Sequence, residues 1–264
     1  MLARLVAEIR PVLAELVVLA PAGALSPLYC RRFLEGVAVY PLPEGAGGGA
    51  ALVEGAGRLE EECSSVAVMR ADLPYLTAGV LEGMFAALTP EIEGVGLAEG
   101  SRRVLLPAVY RRGRLNGVET RKPPHRAGPE WLWEGGRMTF LQAEPLQPGG
   151  PTAATPLDNA EEYRRALAHF GFCDADHPAM TLELYGSLRI KTGCALLPLH
   201  AERIETAFAA LRRIFPEAAR ILPEVSDMGE HFRFSVNGRT VTTDLAHPLS
   251  EGDHLILFSA SVGG

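Results

Sequence analysis

The apolar positions of this chain follow one pattern up to about residue 170 and another after residue 180. Leu2, Leu5, Val6, Ile9, Val12 and Leu13 recur at helical spacing with charges between them, which predicts an opening amphipathic helix. Leu16-Val17-Val18-Leu19-Ala20 is an unbroken apolar run stopped by Pro21, and Val37-Ala38-Val39-Tyr40 is a second, closed by Pro41. Such runs suit strands buried on both faces of a parallel sheet. A helix entered through glycines over 49–59, a strand over 65–69 and a helix from the cap Thr77 to Leu88 follow. Helix and strand in alternation predict an α/β domain with a mainly parallel, Rossmann-like sheet. Over 94–150 the period weakens. Residues 103–110 read as a strand, and 111–126, rich in Arg, Gly and Pro, as a long loop. A helix over 158–170 carries Tyr163, Ala166, Leu167 and Phe170 on one face.

Beyond a short polar stretch the order changes. Residues 181–185 alternate apolar and polar, as a half-buried strand does, and Leu196-Leu197-Pro198-Leu199 makes a second strand. Ile204, Ala207, Phe208, Leu211 and Ile214 share a helix face. A strand over 231–236 meets Asn237-Gly238, a type I′ hairpin signal, and residues 255–258 form the last strand. Antiparallel strands crossed by one helix predict an α+β domain of the β-grasp type. The expected layout is an α/β domain over 1–171, a linker over 172–179 and a β-grasp domain over 180–264.

Composition narrows the function. Hydrophobic residues at 47% and charged residues at 22% exclude a disordered chain. A net charge of −7 argues against nucleic-acid binding, which calls for a concentrated positive field. Arg4, Glu8, Arg10 and Glu15 interrupt the apolar residues near the start, so neither a membrane span nor an export signal is expected. Cys30, Cys63, Cys173 and Cys194 form no C-x-x-C pair, which predicts free, mostly buried thiols and a cytoplasmic protein.

The chain ends Ser261-Val262-Gly263-Gly264. Two residues without Cβ make a thin strip that can enter a narrow tunnel and present a terminal carboxylate to ATP. Following a β-grasp pattern, this ending gains specificity. With Leu184-Tyr185-Gly186-Ser187-Leu188-Arg189, Val236-Asn237-Gly238 and the Glu251-Gly252-Asp253 turn, residues 180–264 resemble the sulfur-carrying small subunit of molybdopterin synthase, within the ubiquitin-like sulfur carriers. The resemblance implies that Gly264, preceded by Gly263, is adenylated by an E1-like enzyme and becomes a thiocarboxylate. The tail would then deliver sulfur through the large synthase subunit to a pyranopterin. Ser259-Ala260-Ser261 stands where the family usually has prolines.

In the first domain Asp72-Leu73-Pro74 follows the strand over 65–69, at the strand edge where ligands bind in such sheets. Asp72 could hold Mg²⁺ against phosphates, or merely cap a turn. Gly45-Ala46-Gly47-Gly48-Gly49 opens a helix, so its N–H groups could approach a nucleotide; a plain loop is the other reading. With Ala71-Asp72-Leu73-Pro74-Tyr75-Leu76-Thr77, Leu106-Pro107-Ala108-Val109-Tyr110-Arg111 and Pro156-Leu157-Asp158-Asn159, these segments resemble the molybdenum cofactor guanylyltransferases. The resemblance implies Mg²⁺ at Asp72, GTP or CTP at Gly45, Gly47 and Gly48, and molybdopterin as a partner.

That family opens with a strand and a glycine-rich phosphate loop carrying Arg and Lys, whereas here Met1 already lies in the helix that follows them. Arg121 and Lys122 could supply charge instead. Little transfer is expected unless a start lies upstream of Met1. The sequence thus predicts a molybdenum- or tungsten-cofactor biosynthesis protein: a sulfur carrier fused to a truncated, inactive nucleotidyltransferase-like domain. The alternatives are an active Mg-dependent nucleotidyltransferase, a scaffold that binds pterin or nucleotide, and a carrier for thiamine or tRNA thiolation.

Overall fold

Helix α1 (Leu2–Ile9) buries Leu5, Val6 and Ile9 and runs into a 3₁₀ turn over Arg10–Val12. In the computed structural model the described residues are 2–25, 30, 34–42, 48–116, 133, 136–146, 148, 150–215, 222 and 231–259. Strand β1 (Val17–Pro21) pairs in parallel with β2 (Ala38–Leu42), and these two form a sheet of their own. Helix α2 (Gly48–Arg58), β3 (Ser65–Val68) and α3 (Ala78–Ala86) follow. The Thr77 side chain accepts a hydrogen bond from the Val80 N–H at 3.4 Å and so caps α3. Strands β4 (Gly94–Glu99) and β5 (Arg102–Arg111), the short helix α4 (Arg112–Asn116) and β6 (Met138–Gln142) complete this region.

The second sheet has the order β3-β5-β4-β6. Strand β5 is antiparallel to both neighbours, and β4 is parallel to β6, so β3, β4 and β6 run the same way. Both faces are buried. Val109 joins Leu5, Ile9, Leu81, Met84, Val95 and Leu97 on one face. Its neighbours Ala108 and Tyr110 join Val66 and Leu115, with Leu52 and Ala56 of α2, on the other.

Strand β4 is weakly patterned in the sequence for a packing reason. A Cβ on Gly94 would lie 2.6 Å from Met138 Sδ, and one on Gly96 would lie 2.8 Å from Phe140 Cε1. The glycines admit the side chains of β6, and they carry no apolar signal themselves. The expected loop over 111–126 begins instead with α4; the remainder lies outside the described residues.

The C-terminal region holds helix α5 (Ala160–His169), β7 (Ala179–Leu184), α6 (Gly186–Thr192), β8 (Leu196–His200), α7 (Ile204–Ile214), β9 (Phe232–Val236), β10 (Thr240–Thr242) and β11 (His254–Ser259). Its single sheet has the order β10-β9-β11-β7-β8. The central pair β11 and β7 is parallel, and the outer pairs are antiparallel. This is the β-grasp arrangement, with α7 supplying Ala207, Phe208 and Leu211 to a core that includes Leu182, Leu197, Phe234 and Leu255. Asn237 at φ 55 and Gly238 at φ 67 form the type I′ turn that the sequence announced. Helix α6 has no counterpart in the sequence reading.

The chain divides into two compact units, Met1–Pro156 and Leu157–Gly264. Helix α5 and the segment after it therefore belong with the β-grasp unit, where the sequence reading set them in the first domain and a linker. The reason is local: α5 packs on β8, burying Ala166 and Leu167, and Arg213 of α7 donates a hydrogen bond to the Gly171 carbonyl at 3.1 Å.

Candidate functional site

In the N-terminal unit the segment after β3 is built rigidly. Leu73, Tyr75 and Leu76 are buried, and Leu76 N–H bonds the Leu73 carbonyl at 3.3 Å. Helix α1 braces it from outside: Arg4 donates to the Pro74 carbonyl at 2.6 Å, and Glu8 accepts from the Ala78 N–H at 3.3 Å. Asp72 is held at the carboxyl end of β3, half-exposed, at the strand edge expected of a ligand-binding residue. Its two oxygens are taken by the Arg70 guanidinium, with Nε to Oδ1 at 2.8 Å and Nη2 to Oδ2 at 2.6 Å. Arg70 is the residue that the sequence reading missed. Its signal was a base two positions before the carboxylate, which a turn brings into bidentate register.

The arrangement around Asp72 is not a metal cage. Among the described residues no group of three or more His, Cys, Asp or Glu could hold a metal ion. Asp72 is half-exposed and its pair with Arg70 is open to solvent, so a cation carried by nucleotide phosphates and water can exchange with the guanidinium there. Of the glycine loop, Gly48 is the exposed first residue of α2, while Gly45 and Gly47 lie outside the described residues, as do Arg121 and Lys122. The structure brings Asp72 together with Arg70.

In the C-terminal unit the sequence marks of the carrier resemblance knit the strand ends together. Asn237 Oδ1 accepts from the His254 N–H at 2.8 Å, and its Nδ2 donates to Asp253 Oδ1 at 2.7 Å. The other Asp253 oxygen accepts from the Ser250 N–H at 2.7 Å, and Glu251 accepts from the Ala179 N–H at 2.7 Å. Gly252, at φ 81, allows the turn between them. Asn237, Glu251 and Asp253 therefore fix where β7 and β11 begin. Strand β11 then runs through the middle of the sheet to Ser259, opposite Phe232, with Phe258 partly exposed at its end. Gly263 and Gly264 lie a few residues further on, outside the described residues.

The thiols offer no obvious nucleophile. All four cysteines are free; Cys173 is buried and the others are half-buried. Burial pushes the Cys63, Cys173 and Cys194 thiols above their usual range, which disfavours the reactive thiolate. Among the described residues no helix is long and apolar enough to cross a membrane.

An α/β unit with a carboxylate at a strand end, followed by a β-grasp unit, is the class of protein that the fold defines. Residues 1–135 match the MobA-like NTP transferase domain, and the chain belongs to that family. Among solved structures, 4-diphosphocytidyl-2C-methyl-D-erythritol synthase from Anaerococcus prevotii shares the fold: it is 11% identical, with a TM-score of 0.51, over 64% of this chain and 85% of its own. A manganese complex of Rv0371c from Mycobacterium tuberculosis is 18% identical over 58% of this chain and 77% of its own, with a TM-score of 0.44. SAMP1 from Haloferax volcanii is 22% identical over 33% of this chain and 99% of its own, with a TM-score of 0.29. The strand order described above is what makes the C-terminal unit a β-grasp. No curated protein matches the chain.

Proposed function

We propose that the C-terminal unit is a sulfur carrier whose Gly264 carboxylate is activated and converted to a thiocarboxylate. The observation that supports this most is the β-grasp sheet itself, whose central strand β11 ends at Ser259, shortly before Gly263-Gly264 in the sequence. In this reading an E1-like enzyme brings the Gly264 carboxylate oxygen to the α-phosphorus of ATP, and pyrophosphate leaves. A hydrosulfide-level sulfur nucleophile then attacks the carbonyl carbon and AMP leaves. The acceptor is a pyranopterin reached through a molybdopterin synthase large subunit, in molybdenum or tungsten cofactor synthesis. Thiamine or tRNA thiolation would use the same carrier chemistry. Intact-mass measurement after incubation with ATP, an E1-like enzyme and a sulfide source tests it: one oxygen should be exchanged for sulfur, at the C-terminal residue. An unchanged mass with an enzyme active on its own carrier would sink the reading.

The N-terminal unit, in the same proposal, binds nucleotide weakly and transfers it poorly, with Asp72 paired to Arg70 before nucleotide arrives. Calorimetry with GTP or CTP and Mg²⁺ tests this, with weak heats expected. Membership of an NTP transferase family favours a second reading, in which the unit is an active Mg-dependent transferase acting on molybdopterin. Tight nucleotide binding with pyrophosphate release on adding molybdopterin, both lost in Asp72→Ala, would establish it.

A further inference from the structure

Helix α1 meets the segment after β3 on two levels. Its buried residues Leu5 and Ile9 share a core cluster with Leu73, Leu76 and Leu81. Arg4 and Glu8, one helical turn apart, bring two charged side chains to one side of α1. Arg4 Nη1 donates to the Pro74 carbonyl at 2.6 Å, and Glu8 Oε1 accepts from the Ala78 N–H at 3.3 Å. Both side chains are half-buried.

The two bonds answer separate needs of the main chain. Pro74 is buried, so its carbonyl calls for a donor, and Arg4 supplies one. Ala78 is the first residue of α3, and the N–H groups of a first helical turn have no acceptor within the helix. Thr77 takes the Val80 N–H and Glu8 takes that of Ala78, which sets a carboxylate at the positive end of the helix dipole. Arg4 and Glu8 thus grip the turn over 74–78 at both of its ends.

Asp72 lies between this grip and β3, whose Val68 is in register with Ala108 of β5. Its main chain is therefore anchored on both sides. Its side chain, by contrast, is half-exposed and paired to Arg70 in an ion pair open to solvent. A pair of that kind is weak and changes partners readily. Exchange of Arg70 for a divalent cation leaves the carboxylate in place only if something other than Arg70 holds the backbone beneath it. Arg4 and Glu8 bond to main-chain atoms, and those bonds do not depend on which partner Asp72 takes.

We propose that Arg4 and Glu8 are positioning residues: from α1 they hold the turn after Asp72, so that its carboxylate stays at the end of β3 while it exchanges Arg70 for a divalent cation carried by nucleotide phosphates. Each acts through the main chain, at Pro74 and at Ala78. The proposal rests on the reading of the N-terminal unit as a nucleotide-binding one in which Asp72 meets the cation.

The test uses the full chain with Mn²⁺ and GTP as the probe. It reads the paramagnetic broadening of amide signals over 70–73 as Mn²⁺ is titrated at fixed GTP. Saturating broadening is expected in the wild type and is lost in Asp72→Ala. Arg4→Ala and Glu8→Ala should each raise the midpoint about three- to tenfold, the effect of losing one charged hydrogen bond. Arg4→Lys and Glu8→Gln, which keep a donor and an acceptor, should stay within about twofold of the wild type. Arg111→Ala removes bonds to the Leu88 and Ile92 carbonyls, beyond the far end of α3; it controls for lost stability and should leave the midpoint unmoved. Unmoved midpoints in the alanine variants at 4 and 8 overturn the proposal. So do equal shifts in the conservative variants or in Arg111→Ala. The two positions decide independently if one variant does not fold. Failure of the underlying reading looks different: broadening absent from the wild type, or unchanged in Asp72→Ala, strikes down the site and the proposal with it.

Discussion

The two units solve the same problem, burying a sheet, to different degrees. In the C-terminal unit five strands form one sheet, and the parallel pair β7 and β11, the pairing that leaves backbone most in need of cover, sits at its centre. In the N-terminal unit the described strands fall into two sheets, β1-β2 and β3-β5-β4-β6. The same physics governs both, since every buried N–H and C=O needs a partner. The carrier-like unit finds its partners within its own chain. One continuous sheet holds the strand that leads to the tail proposed to be reactive, whereas the described strands of the N-terminal unit share no single sheet.

The contrast can be broken most sharply at the tail. Deleting Gly264, or adding a residue after it, should abolish ATP–pyrophosphate exchange with a cognate E1-like enzyme and leave the melting temperature unchanged, because a terminal tail contributes little burial. Retained exchange would remove the carrier reading. Next comes the core that closes the complete sheet. Phe208 is fully buried and packs against Phe234 with tilted rings 5.3 Å apart, so Phe208→Ala should cost about 3–5 kcal/mol in denaturant unfolding of the C-terminal unit. Urea unfolding monitored by amide exchange should show the N-terminal unit unmoved.

Fragments sharpen the boundary. Residues 157–264 should unfold cooperatively, whereas 180–264, which lacks α5, should be less stable because β8 loses the cover of Ala166 and Leu167. Equal stability of the two fragments would make α5 an ornament of the fold. A smaller effect is expected at the turn: Asn237→Gly keeps the positive φ but deletes two side-chain hydrogen bonds, for a loss of about 1–3 kcal/mol. The smallest change in stability belongs to Arg70→Ala, which breaks an exposed ion pair worth about 0.2–1 kcal/mol. Its informative readout is binding, since release of Asp72 should strengthen the calorimetric response to Mg²⁺ with GTP or CTP. An unchanged response would mean that Arg70 does not restrain Asp72 functionally.

The apolar periods by themselves determined most of the elements, because burial is written into each segment locally. The runs at 16–20 and 37–40 became β1 and β2 within a residue or two, the 204–214 face became α7, and Asn237-Gly238 formed its turn. Asp72 was also legible, as a carboxylate just beyond a buried strand. Elements whose signal belongs to their neighbours were not legible. Strand β4 uses glycines to admit Met138 and Phe140, and α5 joins the second unit because its face fits β8. Arg70 closing on Asp72 was likewise decided only by tertiary structure. Pairing, register and proximity are relations between segments distant in the chain, and a period within one segment carries no information about which other segment it will meet.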